Sequence, residues 1–420
     1  MSLVKKPTTG MKDIMPEEMR IRDYCIRQIE ETYSTFGFSH IETPCVEHIE
    51  NLCSKQGGEN EKLIFKVLKR GEKLNLAEAK EENDLVDSGL RYDLTVPLAR
   101  FYSNNSANLP QPFKALQMGN VWRADRPQKG RFRQFMQCDI DILGEASNLA
   151  EIELVLATTT LLSKLGFENF RVKMNERRIL KAMAVYAGFP EDQMDIVFII
   201  LDKMDKIGFD GVKEDLINNG FEEAVVNKYM ALFDEMNKAD DALMYLKEAL
   251  KDSIEDGVID NLKEIFSTVE AAKVANCEIA FDPTLVRGMG YYTGTIFEIE
   301  MAELNCSVAG GGRYDKMIGK FTGNDTPACG FSIGFERIIT ILLDRGFKVP
   351  GETEKYAFLV EKGMDAARMG EIIKEAAELR NTGKVVLIAK MNKNKKFQKE
   401  TLKNEGYTEF KDFYVEGLKN

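Results

Sequence analysis

Apolar and polar positions follow two different periods along this chain. Over residues 178–275, apolar positions recur at helical spacing, charges are dense and strand-like alternation is absent. Alternation typical of strands precedes this stretch and returns over residues 277–300. The pattern predicts a sheet-based domain over residues 1–345 that carries a helical insertion at about 178–275. It is also compatible with helices that belong to a single mixed core.

Turn and capping residues predict further elements before the insertion. Residues 16–36 predict a long helix, with a proline in its first turn and a glycine after its end. The segment 39–50 reads as a strand, and Pro44 within it suits a sheet edge or an interface. The acidic stretch 80–89 predicts a loop, whereas 147–166 predicts an amphipathic helix.

The last part of the chain has its own alternation of elements. After a linker at 350–354, the pattern runs strand, helix, strand, helix, strand. This order predicts a small C-terminal α/β domain over residues 354–420. For the whole chain we therefore expect the α+β class.

Length and composition limit the kind of protein. A chain of 420 residues suggests two or three domains, and 44% apolar with 30% charged residues is an ordinary globular composition. No run of eighteen apolar residues occurs, and the N-terminus has no apolar core segment, so we expect neither a membrane span nor a secretory signal. The seven cysteines are scattered and the only histidines are His40 and His48. We expect reduced thiols, a cytoplasmic location and no metal site.

The net charge of −11 would repel a polyanion unless basic residues cluster locally. One such cluster is the segment 126–133. Another is the stretch 384–403, where seven lysines against the single acid Glu400 leave a balance of +6. A solvated helix face that aids solubility would give the same pattern in the second case.

The segment 119–144 is the most informative part of the sequence. Strand-like alternation over 116–122 and 135–143 predicts an antiparallel hairpin whose loop contains a proline and a glycine. Guanidinium groups bind phosphates through paired hydrogen bonds and keep their charge. The hairpin carries four of them: Arg123, Arg126, Arg131 and Arg133.

The return strand of the hairpin adds acceptors for an amine. Alternation places Gln137, Asp139 and Asp141 on one face of this strand. Cations that hold phosphate beside an amide and carboxylates that hold an amine suit an enzyme that joins an amino acid to a nucleotide. The alternative is a surface hairpin with solvated charges.

The hairpin segment WRADRPQKGRFRQF resembles motif 2 of the class II aminoacyl-tRNA synthetases, and its RPQKGRFRQF core resembles that of the histidyl-tRNA synthetases. Four further segments resemble that family and follow its order: LRYDLTVPLAR at 90–100, LVRGMGYYTGTIFE at 285–298, AGGGRYD at 309–315 and GFSIGFERI at 330–338. The resemblance covers about residues 8–345. It implies an antiparallel-sheet catalytic domain, and a homodimer formed through a motif 1 at 16–50. The C-terminal unit resembles a shortened anticodon-binding domain.

The resemblance also implies a reaction, in which histidine is activated with ATP and Mg²⁺ and then joined to tRNA(His). Arg123 would bridge the α-phosphate and the substrate carboxylate, and Arg287 would be a second catalytic arginine at the same phosphate. Arg131 and Arg337 would bind ATP, and Phe135 would stack on adenine, with Arg337 packing against the other face.

A histidine pocket is implied by seven matched positions: Asp93, Thr95, Gln137, Asp141, Tyr291, Tyr292 and Tyr314. The first three would accept hydrogen bonds from the ammonium group. Asp141 and Tyr292 would bind the two ring nitrogens, and a carboxylate at one nitrogen fixes the tautomer. The other two tyrosines would wall the pocket. Asp139 receives no role from the resemblance.

For tRNA, the resemblance implies contacts from Arg126 and Gln128. Two features depart from the family pattern, since Gly290 stands where an acidic residue commonly precedes the tyrosine pair, and the C-terminal unit is short. They leave two alternatives open. One is a non-catalytic regulatory subunit of ATP phosphoribosyltransferase, and the other is a paralogue that activates an amino acid for an acceptor other than tRNA. The retained arginines and hairpin loop favour the synthetase.

Overall fold

The computed structural model describes residues 3–53, 61–128, 130–287, 291–302, 306–351 and 353–415. Contacts divide the chain into two compact units. The first consists of Met1–Lys12 and Ile26–Ile341, and the second of Asp13–Cys25 and Leu342–Asn420. This division differs from the predicted domain limits most at the N-terminus, where a short segment groups with the C-terminal part.

The elements have the following limits. The strands are β1 Ser39–Ile41, β2 Val46–His48, β3 Lys66–Leu68, β4 Val86–Leu90, β5 Phe113–Trp122, β6 Gln134–Leu143, β7 Phe170–Glu176, β8 Cys277–Phe281, β9 Thr295–Met301, β10 Cys306–Arg313, β11 Ala328–Ile333, β12 Lys355–Val360, β13 Val385–Lys390 and β14 Glu409–Phe413. The α-helices are α1 Pro16–Thr35, α2 Ile49–Leu52, α3 Thr95–Asn105, α4 Leu149–Lys164, α5 Arg177–Ala187, α6 Met194–Leu201, α7 Met204–Asn218, α8 Glu223–Lys238, α9 Ala242–Ala249, α10 Val258–Ala272, α11 Lys316–Thr322, α12 Phe335–Asp344, α13 Ala366–Asn381 and α14 Lys395–Asn404.

One eight-stranded sheet forms the centre of the first unit. Its order is β1-β5-β6-β11-β10-β9-β7-β8. Neighbouring strands are antiparallel except at the two edges, where β1 runs parallel to β5 and β8 runs parallel to β7. Apolar side chains that are at most 1% exposed, such as Ile140, Val172, Phe297 and Phe331, form its core. The predicted α+β class is confirmed.

A second sheet, in the order β2-β4-β3, corrects two predictions. The acidic stretch 80–89 is not a loop throughout, because its end forms β4, whose backbone pairs with strands on both sides. The segment 39–50 is not one strand, since β1 belongs to the large sheet and β2 to the small one. Pro44 lies between them, and a proline has no N–H to donate to a sheet.

The predicted hairpin is observed, and it is longer than the sequence pattern indicated. β5 and β6 pair antiparallel from Phe113 opposite Leu143 to Trp122 opposite Gln134. On its other side β6 pairs with β11, so the hairpin lies inside the large sheet rather than on the surface. Its tip closes through backbone bonds between Gln128 and Arg131 at 2.9 and 3.1 Å.

Residues 177–272 form six α-helices, α5 to α10, as the helical spacing predicted. Aromatic rings join them, with edge-to-face contacts of Phe189 and Phe233 on Tyr229 at centroid distances of 5.3 Å. The same apolar cluster continues to Leu285 and to Ile296 of β9. The helices therefore share a core with the sheet that they interrupt.

The second unit has a parallel three-stranded sheet in the order β13-β12-β14 with the helices α13 and α14. The order strand, helix, strand, helix, strand is the predicted one. Within this unit, Arg20 of α1 donates to the Glu405 carbonyl at 2.7 Å, and the rings of Tyr24 and Phe347 lie 5.5 Å apart. Among the described residues, no helix combines the length and apolar character that a membrane crossing would require.

Candidate active site

A cavity of about 520 Å³ lies against the large sheet, where the hairpin, β10, β11 and the starts of α3 and α12 converge. Eleven of the residues predicted for the site line it: Asp93, Thr95, Arg123, Arg131, Phe135, Gln137, Arg287, Tyr291, Tyr292, Tyr314 and Arg337. The sequence separates these residues by up to about 240 positions, and the fold brings them together.

Asp93 and Gln137 present acceptors at one part of the cavity. Asp93 precedes α3 and its Oδ1 accepts from the backbone N–H of Val96 at 3.1 Å, which satisfies one free N–H of the first helical turn. The Gln137 side chain donates from Nε2 to Ser332 Oγ at 3.1 Å. Its Oε1 is buried without a hydrogen-bond partner among the described residues.

Asp141 is connected to the cavity through Tyr314. The carboxylate is 4% exposed, and its Oδ1 accepts from the Tyr314 hydroxyl at 2.6 Å. Gly330, opposite Asp141 on β11, leaves the space for this contact, because a Cβ there would lie 2.0 Å from Oδ1. Tyr314 lines the cavity, and its hydrogen bond connects Asp141 with the cavity.

The tyrosine pair lies at the same end of the cavity. The rings of Tyr291 and Tyr292 have centroids 4.3 Å apart, and the Tyr314 ring is 6.3 Å from that of Tyr291. Burial raises the pKa of all three phenols. They remain neutral and can donate hydrogen bonds throughout the physiological range.

Arg123 is held by two contacts that fix its plane. Its Nε donates to the Tyr92 carbonyl at 2.9 Å, and its guanidinium carbon lies 5.1 Å from the centre of the Phe135 ring. Guanidinium groups stack favourably on aromatic faces. Arg123 lines the cavity with its guanidinium plane held in this way.

Arg287 lies in a niche between β9 and β10. Its Nη1 donates to Glu298 Oε2 at 2.7 Å and lies 3.3 Å from Ser307 Oγ. A Cβ at Gly310 would come within 1.7 Å of Nη1, so only a glycine leaves room for the guanidinium there. Arg287 also has a φ of 32°, a conformation that few non-glycine residues adopt. Gly290, the residue that departs from the family pattern, lies outside the described residues.

The remaining predicted cations are held less tightly. Arg337 donates to the Ser307 carbonyl, and the adjacent Glu336 accepts from the backbone N–H of Met136 at 3.3 Å. Arg131 is half exposed and forms an ion pair with Asp125 at 3.1 Å. The two residues predicted to contact tRNA, Arg126 and Gln128, are exposed on the hairpin loop.

Three carboxyl groups in or close to the cavity have pKa values above their ordinary range. Burial raises the pKa of Asp139 to about 7, and the negative charge of Asp93 adds to the effect. Burial and Asp139 raise the pKa of Asp141 well above its ordinary value. Burial also raises the pKa of Asp93. Such a cluster favours a ligand that brings positive charge and hydrogen-bond donors.

Comparisons with known proteins agree with this arrangement. A family model described as histidyl-tRNA synthetase matches residues 10–338 of the chain. The chain belongs to the histidyl-tRNA synthetase family. A histidine–tRNA ligase from Leifsonia xyli subsp. xyli is 45% identical over 344 residues, which cover 80% of this chain and 80% of that protein. A probable histidine–tRNA ligase from Tropheryma whipplei is 39% identical over 96% of this chain and 94% of its own length.

Solved structures show the same fold. The histidyl-tRNA synthetase from Nostoc sp. PCC 7120 has a TM-score of 0.77 and 26% identity, and the match covers 96% of this chain and 90% of that one. A protein from Bacillus halodurans C described as an ATP phosphoribosyltransferase regulatory subunit/histidyl-tRNA synthetase also has a TM-score of 0.77, with 98% and 99% coverage. At 20% identity, that likeness concerns the fold alone.

For this member of the histidyl-tRNA synthetase family, sequence reasoning assigned no role to three residues of the site. Asp139 lines the cavity, and along β6 it lies between the predicted residues Gln137 and Asp141. This alternation is the sequence feature that could have identified it. Glu298, the last residue of the matched segment 285–298, pairs with Arg287. Ser332 lies in the matched segment 330–338, but its contact with the Gln137 amide joins strands nearly two hundred residues apart, which the motif does not reveal.

Proposed function

We propose that this chain activates histidine with ATP and transfers it to tRNA(His). The observation that carries the proposal is the meeting, in one cavity, of the arginines Arg123, Arg287 and Arg337 with the acceptors of Asp93 and Gln137. The arginines suit the phosphates of a nucleotide and the acceptors suit an amine. Membership of the histidyl-tRNA synthetase family supports histidine as the amino acid.

The reaction proceeds in two steps. A carboxylate oxygen of histidine attacks the α-phosphorus of ATP, the new O–P bond forms, and pyrophosphate leaves. A hydroxyl of the terminal ribose of tRNA then attacks the acyl carbon, loses its proton, and displaces AMP. In the first step two anions approach each other, so the protein must neutralise charge and align the reactants. No covalent bond to the protein is needed.

The proposed ATP site uses the arginines in separate roles. Arg123 bridges the α-phosphate and the substrate carboxylate, and its stacking on Phe135 fixes its plane beside the place where the adenine ring would stack. Arg287 acts as a second cation at the same phosphate, and Glu298 holds it in place before the nucleotide binds. Arg131 and Arg337 bind the remaining parts of the nucleotide.

Mg²⁺ enters this proposal as a companion of the nucleotide. Its preferred ligands are oxygens, and the Glu336 carboxylate lines the cavity beside Arg337 and suits such an ion. The ion would supply positive charge at the outer phosphates. Arg287 would supply the positive charge at the α-phosphate.

The proposed amino-acid site places histidine against β6. Asp93, Thr95 and Gln137 accept from the ammonium group. Tyr292 and Asp141 bind the two ring nitrogens, and Asp141 keeps its second oxygen for this, since Tyr314 donates to its Oδ1. Tyr291 and Tyr314 form the walls of the pocket.

Further partners follow from exposed surfaces. Arg126 and Gln128 would contact the acceptor end of tRNA from the hairpin tip, and exposed lysines of the C-terminal unit would contact its phosphates. The exposed side chains of Pro44 and Val46, beside an edge strand of the large sheet, would pack in a homodimer interface. We place the protein in the cytoplasm. The homodimer is tested by light scattering at micromolar concentration, where a monomer counts against it.

Histidine-dependent exchange of radiolabelled pyrophosphate into ATP tests the activation step. The proposal expects exchange with histidine and little exchange with each of the other amino acids. A regulatory subunit without activity would show none with any amino acid. Exchange with histidine that is not followed by tRNA charging would favour a paralogue with another acceptor.

A further inference from the structure

Asp139 has no part in the function as proposed above, yet it lies inside the cavity. It is the middle member of a row on β6, between Gln137 and Asp141, and it is 4% exposed. Its Oδ1 is buried and has no hydrogen-bond partner among the described residues. Buried acceptors in proteins are nearly always satisfied, and leaving one open costs free energy. A donor from a ligand would satisfy it.

Ser332 determines which acceptors stay open. Its Oγ accepts from Gln137 Nε2 at 3.1 Å, and its hydroxyl hydrogen-bonds to the carboxyl group of Asp139. The amide nitrogen of Gln137 and one oxygen of Asp139 are therefore engaged, which leaves Gln137 Oε1 and Asp139 Oδ1. These two atoms are the orphaned acceptors of one strand face, two residues apart, and both residues line the cavity.

Arg91 and Arg123 act electrostatically on Asp139, but both also donate to backbone carbonyls and neither is hydrogen-bonded to its Oδ1. Arg91 donates to the Thr43 carbonyl at 2.6 Å and to the Asn120 carbonyl at 2.9 Å. Arg123 donates from Nε to the Tyr92 carbonyl at 2.9 Å. The carboxyl group of Asp93 adds negative charge close to Asp139. The open pair therefore fits a ligand group that carries positive charge and more than one N–H.

We infer that Asp139 is a substrate-binding residue, whose Oδ1 accepts a hydrogen bond from the α-ammonium group of the amino acid beside Gln137 Oε1. This inference rests on the proposed function, because it takes the amino acid as the ligand. It extends the acceptor set of Asp93, Thr95 and Gln137. Asp93 gives its Oδ1 to the Val96 N–H, whereas Asp139 Oδ1 adds an acceptor that has no partner among the described residues.

The test compares two ligands that differ only in the ammonium group. Histidinol keeps the ammonium and the ring and cannot be activated, whereas 3-(imidazol-4-yl)propan-1-ol lacks the amine. Calorimetry measures both affinities on the full-length wild type and on Asp139→Asn. We expect the variant to bind histidinol about 10- to 100-fold more weakly, as for the loss of a charge-assisted hydrogen bond. Its affinity for the deaminated alcohol should stay close to that of the wild type.

Tyr229→Phe is the matched control. The Tyr229 hydroxyl is also buried and without a partner among the described residues, but it lies on α8 in the helical segment. Removing it should leave both affinities unchanged. Thermal unfolding checks that Asp139→Asn is folded, and Asp139→Ser serves the same comparison if the first variant is not.

Two results would overturn the inference. Equal weakening of both ligands would show that Asp139 supports the fold or contacts the ring, and unchanged affinity for histidinol would show that it touches neither part. A failure of the proposed function looks different, because the wild type itself would then show no histidine-dependent pyrophosphate exchange. Wild-type exchange, together with an Asp139→Asn variant that weakens both ligands equally or leaves histidinol binding unchanged, would reject the inference alone.

Discussion

Arg287 is the residue whose surroundings differ most from those of a surface arginine. It is held by Glu298 and Ser307 in a niche that a glycine leaves open, with a φ that few side chains adopt. Energetic cost of this kind at a cavity is typical of functional positions. The ion pair with Glu298 fixes the guanidinium where Arg287 lines the cavity.

Replacing this arginine tests its proposed role. Arg287→Ala should lower histidine-dependent pyrophosphate exchange by about 100- to 1,000-fold, since removal of one fixed charge-stabilising group costs roughly 2.7–4 kcal/mol of barrier. Thermal unfolding should show a folded protein. Arg171→Ala is the matched control, because Arg171 forms an exposed ion pair with Glu278 on the same sheet and such pairs contribute little. Near-normal exchange by Arg287→Ala would reject the assignment.

The carboxyl group of Asp139 should make stability depend on pH. Its pKa rises from an ordinary 3.8 to about 7 in the folded protein. Between these values the folded state keeps a proton that the unfolded state has lost, so the free energy of unfolding falls as pH rises through this window. From pH 5 to pH 8, wild type should lose on the order of 2 kcal/mol relative to Asp139→Asn. Urea unfolding of both proteins at the two pH values measures this, and parallel pH profiles would contradict it.

Eleven of the residues that the sequence assigned to one site line one cavity, because the family motifs mark them by position. Asp139 received no role, since alternation shows which residues share a strand face but not which of them meet a ligand. Ser332 and Glu298 received no role from the sequence for another reason. Their importance comes from contacts across strands with Gln137 and Arg287, and such pairings depend on register.

Among the elements, β10 carries two neighbouring glycines with different constraints. A Cβ at Gly310 would meet the Arg287 guanidinium, the end of a side chain that can move. A Cβ at Gly311 would come within 1.9 Å of the Gly330 carbonyl oxygen, which belongs to the backbone of β11. The first glycine makes room for a functional group, and the second allows two strands to approach.

Alanine at these two positions should therefore affect different properties, stability at Gly311 and activity at Gly310. Gly311→Ala should lower the free energy of unfolding by about 1–3 kcal/mol, because the strands must separate. Gly310→Ala should keep near wild-type stability but reduce pyrophosphate exchange about as much as the loss of Arg287 itself. Chemical unfolding and exchange assays on both variants measure the two effects. A stable, fully active Gly310→Ala variant would show that the niche does not position Arg287.

The elements that the sequence predicted best are those fixed by local pattern. The hairpin, the long helix at 16–35 and the C-terminal alternation have periods and turn residues that leave little choice. The errors at 80–89 and 39–50 have a common cause. Short strands in the small sheet are defined by their pairing partners, and the pattern of five residues does not reveal a partner.

At the scale of the whole molecule, ion pairs neutralise part of the lysine-rich stretch in the C-terminal unit. Three of the seven lysines in the stretch 384–403 form ion pairs: Lys384 with Glu354, and Lys395 and Lys399 with Asp412. Four others are exposed on the second unit: Lys390, Lys393, Lys396 and Lys403. These four remain the candidates for contact with tRNA phosphates.

Removing exposed lysines tests that contact. The triple variant Lys393→Ala, Lys396→Ala and Lys403→Ala should keep wild-type pyrophosphate exchange but raise the KM for tRNA, and the salt dependence of that KM should become weaker. A double variant of Lys362→Ala and Lys374→Ala, exposed in the same unit outside the lysine stretch, is the control. Equal charging by the triple variant and wild type would show that this lysine stretch is not a tRNA-binding surface.

The decisive measurement for the proposed function is charging of tRNA(His) with labelled histidine by the wild-type protein. It requires the histidine pocket, the arginines around the α-phosphate and the tRNA contacts to work together in one chain. We expect ATP-dependent formation of histidyl-tRNA that stops when histidine is replaced by another amino acid. Absence of charging by a folded protein that binds ATP and histidine would contradict the proposed function.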